Sequence, residues 1–307
     1  MDMREEHREN PYKLLPESLR DLLQKSEERD TIEELRLREG QPLWAVTAGR
    51  EWTLPQWAQR PVTARDLHWV LESAGQGSIH AVLEQFRQGF LAVEGGHRIG
   101  ICGSVALRKG ELVNYRNISS LAIRFCHEVP SVARPLIPQL FQGDSFQSTL
   151  IFSPPGGGKT TLLRDLIRCV SDGIGCISRR VGVADERGEL GGMVRGRPQL
   201  NLGQHTDILD GCPKAEALLM LLRGMNPQVL AADEITAPGD MQAMEEVAGC
   251  GVGLLATAHG ASPEEIRLRP VYRALLKREI FRRFVWIAIE NGQRRYRILT
   301  REEMGTL

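Results

Sequence analysis

The sequence predicts an α/β fold, a mostly parallel sheet with helices on both faces, preceded by an α+β N-terminal domain. Three observations carry that expectation. From residue 148 onward β-like apolar runs alternate with segments of helical spacing, the pattern of consecutive βαβ units. The first of those runs, Thr149-Leu150-Ile151-Phe152, feeds a glycine-rich turn that opens a helix. Before residue 128, helix and strand signals mix without that alternation.

With 307 residues the chain has room for about two domains of roughly 100–200 residues each. The expected division is an N-terminal domain at 1–127, a linker at 128–147 and a second domain at 148–307. Pro130, Pro135, Pro138 and Gly143 interrupt both periodicities in the linker stretch.

In chain order, Pro16-Glu17 opens a helix with Leu15, Leu19, Leu22 and Leu23 on one face, running out in the charged stretch 27–30. Leu35 and Leu37 alternate with charges, Gly40-Gln41-Pro42 turns, and Leu43–Val46 returns as a hairpin. Thr63 caps a helix carrying Leu67, Val70 and Leu71, and a second helix is expected over Val82, Leu83 and Phe86 before Gly89. Phe90 to Phe125 reads as strands broken at Gly95-Gly96 and Gly110.

In the second domain, apolar residues at 162, 163, 166, 167 and 170 give one face of the helix after the glycine-rich turn. Strands follow at 181–184, 228–232 and 252–256, with helices at 215–225, 239–249, 263–269 and 271–279. Phe284–Ile289 and Arg294–Leu299 flank Asn291-Gly292, a strong hairpin signal.

Lys plus Arg and Asp plus Glu each number 39, so no global positive field recruits nucleic acid. The six cysteines form no C-x-x-C pair and no zinc spacing, as expected of reduced thiols in a cytoplasmic protein. The first residues lack the apolar core of a signal peptide, and no run approaches the roughly 18 apolar residues of a membrane span. Any work at a membrane is therefore expected to go through a partner.

The chemistry-bearing stretch is Ser153-Pro154-Pro155-Gly156-Gly157-Gly158-Lys159-Thr160-Thr161. Glycines let backbone N–H groups converge on phosphate oxygens, and the helix N-terminus adds partial positive charge behind them. Strand, loop and helix in that order are the context of a Walker A phosphate-binding loop. Lys159, read as a solvent-facing loop lysine, would reach the outer phosphates of ATP, and Thr160 would ligate Mg²⁺. Ser153 stands where that motif has its first glycine.

Val229-Leu230-Ala231-Ala232 ends in Asp233-Glu234, a Walker B pattern in which Asp233 would hold Mg²⁺ and Glu234 would polarise the attacking water. Asp185-Glu186-Arg187-Gly188-Glu189 ends another strand, and ligands of open α/β sheets gather at strand carboxyl ends. Thr257-Ala258-His259 puts polar groups where a γ-phosphate sensor would sit.

In this order the loop, the 185–189 box, Leu222–Pro227 before the Walker B strand, and Thr257-Ala258-His259 resemble the type II/type IV secretion ATPases. The segments 207–215 and 95–100 narrow the resemblance to a sporulation branch of that family, over nearly the whole chain. The resemblance implies a RecA-like P-loop ATPase core assembling as a homo-oligomeric ring, expected to be hexameric. It further implies a motor that energises a membrane-embedded channel complex in the mother cell during endospore formation. It adds Glu186 as a catalytic candidate beside Glu234 and His259, and it makes Arg116 and Arg124 of segment 116–124 candidates to reach ATP, with Arg98 behind them. The family's arginine after the Walker B glutamate is absent from Ile235-Thr236-Ala237-Pro238, its Gly-His pair before Thr-x-His reads Gly251-Val252, and Gln204-His205 stand where close relatives have an arginine. Two other readings stand beside the motor: a nucleic-acid-stimulated ATPase and a scaffold that binds ATP without hydrolysing it.

Overall fold

A computed structural model describes residues 11–24, 26, 31–47, 49–75, 89–108, 111–126, 128–290 and 293–306. The helix expected over Val82, Leu83 and Phe86, the charged stretch 27–30, Gly110 and the Asn291-Gly292 turn lie outside them. The chain divides into two compact units, residues 1–127 with 192–199, and residues 128–191 with 200–307.

Among the described residues, the first unit is an antiparallel sheet with helices. Its strands are β1 (Glu34–Arg38), β2 (Trp44–Thr47), β3 (Arg50–Trp52), β4 (Phe90–Val93), β5 (His97–Arg108) and β6 (Glu111–Arg124), in the order β3-β2-β1-β6-β5-β4. The alternation read at Leu35 and Leu37 sets the β1 register, and Leu35 pairs with Ala45 and Ile123. Helices α1 (Glu17–Gln24), α2 (Pro55–Ala58) and α3 (Ala64–Gly75) cover the sheet, contributing Leu19, Leu23, Trp57, Leu67 and Val70 to one core. Thr63 starts α3 as predicted: its N–H donates to Asp66 Oδ2 at 2.8 Å, and Asp66 N–H donates back to Thr63 Oγ1 at 3.3 Å. That reciprocal pair satisfies two of the donors a helix start leaves open.

The second unit opens with residues 128–147, the expected linker. The stretch is part of the unit's core instead, with Ala133, Ile137 and Leu140 fully buried. Its prolines break periodicity without preventing packing. The small strands β7 (Phe141–Gln142) and β8 (Ser145–Phe146) close it. Then follow β9 (Thr149–Ser153), α4 (Lys159–Asp172), β10 (Val181–Asp185), β11 (Thr206–Asp210), α5 (Lys214–Met225), β12 (Val229–Ala232), α6 (Pro238–Gly249), β13 (Gly253–His259), α7 (Pro263–Leu268), α8 (Pro270–Lys277), β14 (Arg283–Glu290), β15 (Gln293–Thr300) and α9 (Arg301–Thr306).

Seven of these strands form a sheet in the order β11-β10-β12-β13-β9-β14-β15, parallel except for the β14–β15 pair. Its central strands are buried throughout, as strands covered on both faces must be. One core lies against α4, whose Leu162, Leu163, Leu166, Ile167 and Val170 are at most 1 % exposed, and the other against α5, α6 and α8. β13 lies between β9, which carries the glycine-rich loop, and β12, which ends at Asp233-Glu234. That insertion decides the geometry of the site.

Candidate active site

The loop after β9 turns at Gly156 and Gly158, both at positive φ, and Gly158 at φ +97° is the N-cap of α4. Gly157 is required for a different reason. Ser153 keeps its hydroxyl inside the loop, donating to Pro154 O at 2.8 Å, and a Cβ on Gly157 would lie 2.3 Å from that hydroxyl. The serine in the first-glycine slot is thus accommodated by the glycine four positions on.

Lys159 is 6 % exposed, so the solvent-facing lysine expected from the sequence is corrected. The cause is β13. His259 pairs with Ser153 in the sheet register, and its ring covers the lysine. Lys159 Nζ lies 3.1 Å from His259 Nδ1, and His259 Nε2 lies 2.8 Å from Glu234 Oε1. An ammonium only donates, so Nδ1 accepts, and the ring proton on Nε2 is donated to the carboxylate. Burial pulls the Lys159 ammonium below the ordinary lysine value, opposed by the charges of Asp233 and Glu234.

Asp233 is anchored from two sides. Thr160 Oγ1 donates to its Oδ2 at 2.7 Å, and Thr257 Oγ1, fully buried in β13, donates to its Oδ1. Mg²⁺ prefers one or two protein oxygens beside phosphate and water, and the adjoining hydroxyl and carboxylate of Thr160 and Asp233 fit that donor set. The backbone N–H of Glu234 donates to the same Thr257 oxygen at 2.8 Å. Glu234 itself has φ +51°, an uncommon region for a residue with a Cβ, and Arg187 Nη1 stands 3.3 Å from its Oε2.

The acidic box divides its work. Asp185 is 2 % exposed and accepts the N–H groups of Glu189, Leu190 and Gly191, so it organises its own loop. Burial pushes its carboxyl up, against those three hydrogen bonds. Glu186 is partly exposed and faces the buried Lys214 at 3.5 Å. Asp185, Glu186, Asp233, Glu234 and Lys214 share a cavity of about 90 Å³. A larger cavity, about 470 Å³, is lined by Phe146, Ser148, Gly253, Arg278 and Arg282 at the opposite, N-terminal edge of the sheet and contains none of the motif residues.

In the first unit Arg124 is ion-paired to Glu34 at 2.9 Å with two thirds of its side chain exposed. Arg116 lies exposed on β6, and Arg98 stacks over Phe90 at 3.9 Å. Three basic residues not singled out in the sequence reach the second unit's site: Arg187, Lys214 and Arg294. Arg294 Nε donates to Gly157 O in the phosphate loop at 3.1 Å. Its placement follows from β14 running parallel beside β9, which brings the start of β15 back at the loop's edge of the sheet.

A family model described as "Sporulation stage III, protein AA" matches residues 5–303. Stage III sporulation protein AA of Bacillus subtilis (strain 168) is 36 % identical over 282 residues, covering 91 % of this chain and 90 % of that protein. Protein SEEDLING PLASTID DEVELOPMENT 1 of Arabidopsis thaliana is 27 % identical over 275 residues, 86 % of this chain but 35 % of that protein. Among solved structures, the ATPase DotB of Legionella pneumophila superposes with TM-score 0.61 at 16 % identity, covering 94 % of this chain and 82 % of that one. The pilus retraction motor PilT with bound ADP gives TM-score 0.56 at 15 % identity, covering 89 % and 82 %. At such identities the likeness speaks for the fold, the RecA-like α/β architecture that the sequence predicted.

Proposed function

Since the chain belongs to the sporulation stage III protein AA family, we propose that it is a Mg²⁺-dependent ATPase, a ring-forming motor acting on a membrane-embedded channel complex during endospore formation. One observation carries the enzymatic part: Lys159, His259 and Glu234 form one hydrogen-bonded line beside the Thr160–Asp233 pair. A lysine for phosphate charge, a hydroxyl and carboxylate for a hard cation, and a carboxylate base thus converge at the carboxyl ends of β9, β12 and β13.

In this reading the N–H groups of residues 156–161 hold the phosphates, and Lys159 leaves His259 Nδ1 to donate to them. Thr160 and Asp233 would hold Mg²⁺, which when bound offsets the phosphate charge. Glu234 accepts the proton of the attacking water. His259, relieved of the lysine, keeps its Nε2–H on Glu234 and so holds that carboxylate in place. Glu186 stands by as a second acid at the same cavity.

Among the described residues no helix is long and apolar enough to cross a membrane, so the proposed attachment runs through a channel protein at the cytoplasmic face. The test is phosphate release by the purified protein with ATP and Mg²⁺, read beside its mass in solution. Turnover in an oligomer supports the reading, and no release above that of Glu234→Gln overturns it.

A further inference from the structure

Glu234 is the residue whose carboxylate must point at water, and its backbone sits at φ +51°. A conformation of that kind is strained for a residue with a Cβ and persists only where the surroundings hold it. The amide side of the strained residue is held by Thr257 at 2.8 Å. The carbonyl side is held by Lys214, whose Nζ donates to Glu234 O at 2.6 Å.

Lys214 is the first residue of α5 and only 6 % exposed. Both facts run against local preference. A cation at a helix N-terminus faces the positive end of the dipole, and a buried ammonium loses its hydration. Glu186 at 3.5 Å and Asp240 at 3.9 Å compensate the charge. Asp240 in turn caps α6 by accepting from the N–H groups of Thr236 and Ala237, so the lysine joins both helix starts to the end of β12. Positions where a local rule is broken and compensated are where function is expected.

We propose that Lys214 is a positioning residue for the hydrolytic step: by holding the Glu234 carbonyl it keeps the strained backbone that aims the Glu234 carboxylate along the His259 ring. This rests on the reading of Glu234 as the base. Lys214 touches no phosphate in this scheme, so its loss falls on the chemical step and not on nucleotide binding.

The experiment measures ATP hydrolysis by the full chain carrying Lys214→Met, with Glu234→Gln as the control. Methionine keeps the length and removes the donor. The expected result is a kcat lowered about 10²-fold, the scale of a small misplacement of a reacting group, with KM for ATP and the Kd of a fluorescent ADP within about threefold of wild type. Lys214→Arg keeps the charge, but its planar fork does not place a donor on the same point. A kcat lowered at least about tenfold is expected there too, and this variant decides the matter should Lys214→Met lack a cooperative thermal transition. Wild-type kcat in a folded Lys214→Met or Lys214→Arg, or a loss carried by KM alone, overturns the inference. If Glu234→Gln itself hydrolyses ATP like wild type, the reading of the base fails instead.

Discussion

Lys159 and His259 stand 100 residues apart in the chain and 3.1 Å apart in space, with the lysine donating to the imidazole. On the proposed reading of Lys159 as the phosphate lysine, this hydrogen bond has to be given up for nucleotide to bind. Lys159→Met is expected to lower turnover about 10²–10³-fold, the scale of a lost transition-state donor, and to abolish the rise in melting temperature that ATP gives the wild type. Without nucleotide the variant should melt no lower than wild type, because the desolvated ammonium is gone.

The same lysine gives a pH dependence with a definite sign. Its folded pKa lies below the ordinary lysine value of 10.5. Between the two values the unfolded chain binds more protons, so the nucleotide-free protein gains stability as pH rises through that window. Below it both states are protonated and the cost of burial is complete. Denaturant midpoints measured across the alkaline range should rise more steeply in wild type than in Lys159→Met.

Glu234→Gln is expected to bind ATP and lose turnover about 10²–10⁴-fold. The amide oxygen still accepts from His259 Nε2, so the shape survives while the basicity does not. Equilibrium binding of a fluorescent ATP together with single-turnover phosphate release separates the two. Loss of binding would make Glu234 structural.

Ser153 and Gly157 should be coupled. Gly157→Ala brings a Cβ within 2.3 Å of the Ser153 hydroxyl and is expected to empty the loop of nucleotide. Ser153→Gly alone should lose about 1 kcal/mol, from backbone freedom and one hydrogen bond, with kcat and KM within about threefold of wild type. In the double variant the Ser153 hydroxyl and Cβ are gone and only the tight contact to Pro154 O at 3.0 Å stays, so part of the ATP binding should return, a non-additivity that a double-mutant cycle measures.

Arg294→Ala removes the guanidinium that donates to Gly157 O. The expected effect is a KM for ATP roughly tenfold higher, equal to the loss of one charge-assisted hydrogen bond of about 1.5 kcal/mol, with kcat changed less. Arg294→Lys should not restore it, because the contact is made by Nε of a planar group. Titration with a fluorescent ADP checks both variants.

Much of the candidate site's geometry was legible because its signals are local. Loop, strand and helix between Thr149 and Val170 follow from glycine chemistry and spacing, and Asp233-Glu234 is marked by the buried run before it. The strand Thr206–Asp210 was not, since as a sheet edge it is half-exposed and shows no apolar run. The burial of Lys159 depends on β13 lying between β9 and β12, and strand order is not written in spacing. Lys214 did carry a signal, a basic residue directly after Pro213 at a helix start that favours acids. Arg294 carried one only in combination, as the residue returning from a hairpin beside the loop-bearing strand.

The packing of residues 128–147 decides where the chain can be cut. Trimming it at residue 148, where the alternating pattern begins, removes Ala133, Leu136, Ile137 and Leu140 from the face that α4 shares. It also takes the Ala133 N–H from Asp165, a nearly buried carboxylate of α4 that accepts it at 2.7 Å. Exposing the partners of three large apolar side chains costs on the order of several kcal/mol, comparable to the whole stability of a domain. An expression boundary for the second unit therefore belongs before Glu128, and a fragment starting at Ser148 should come out of the cell insoluble.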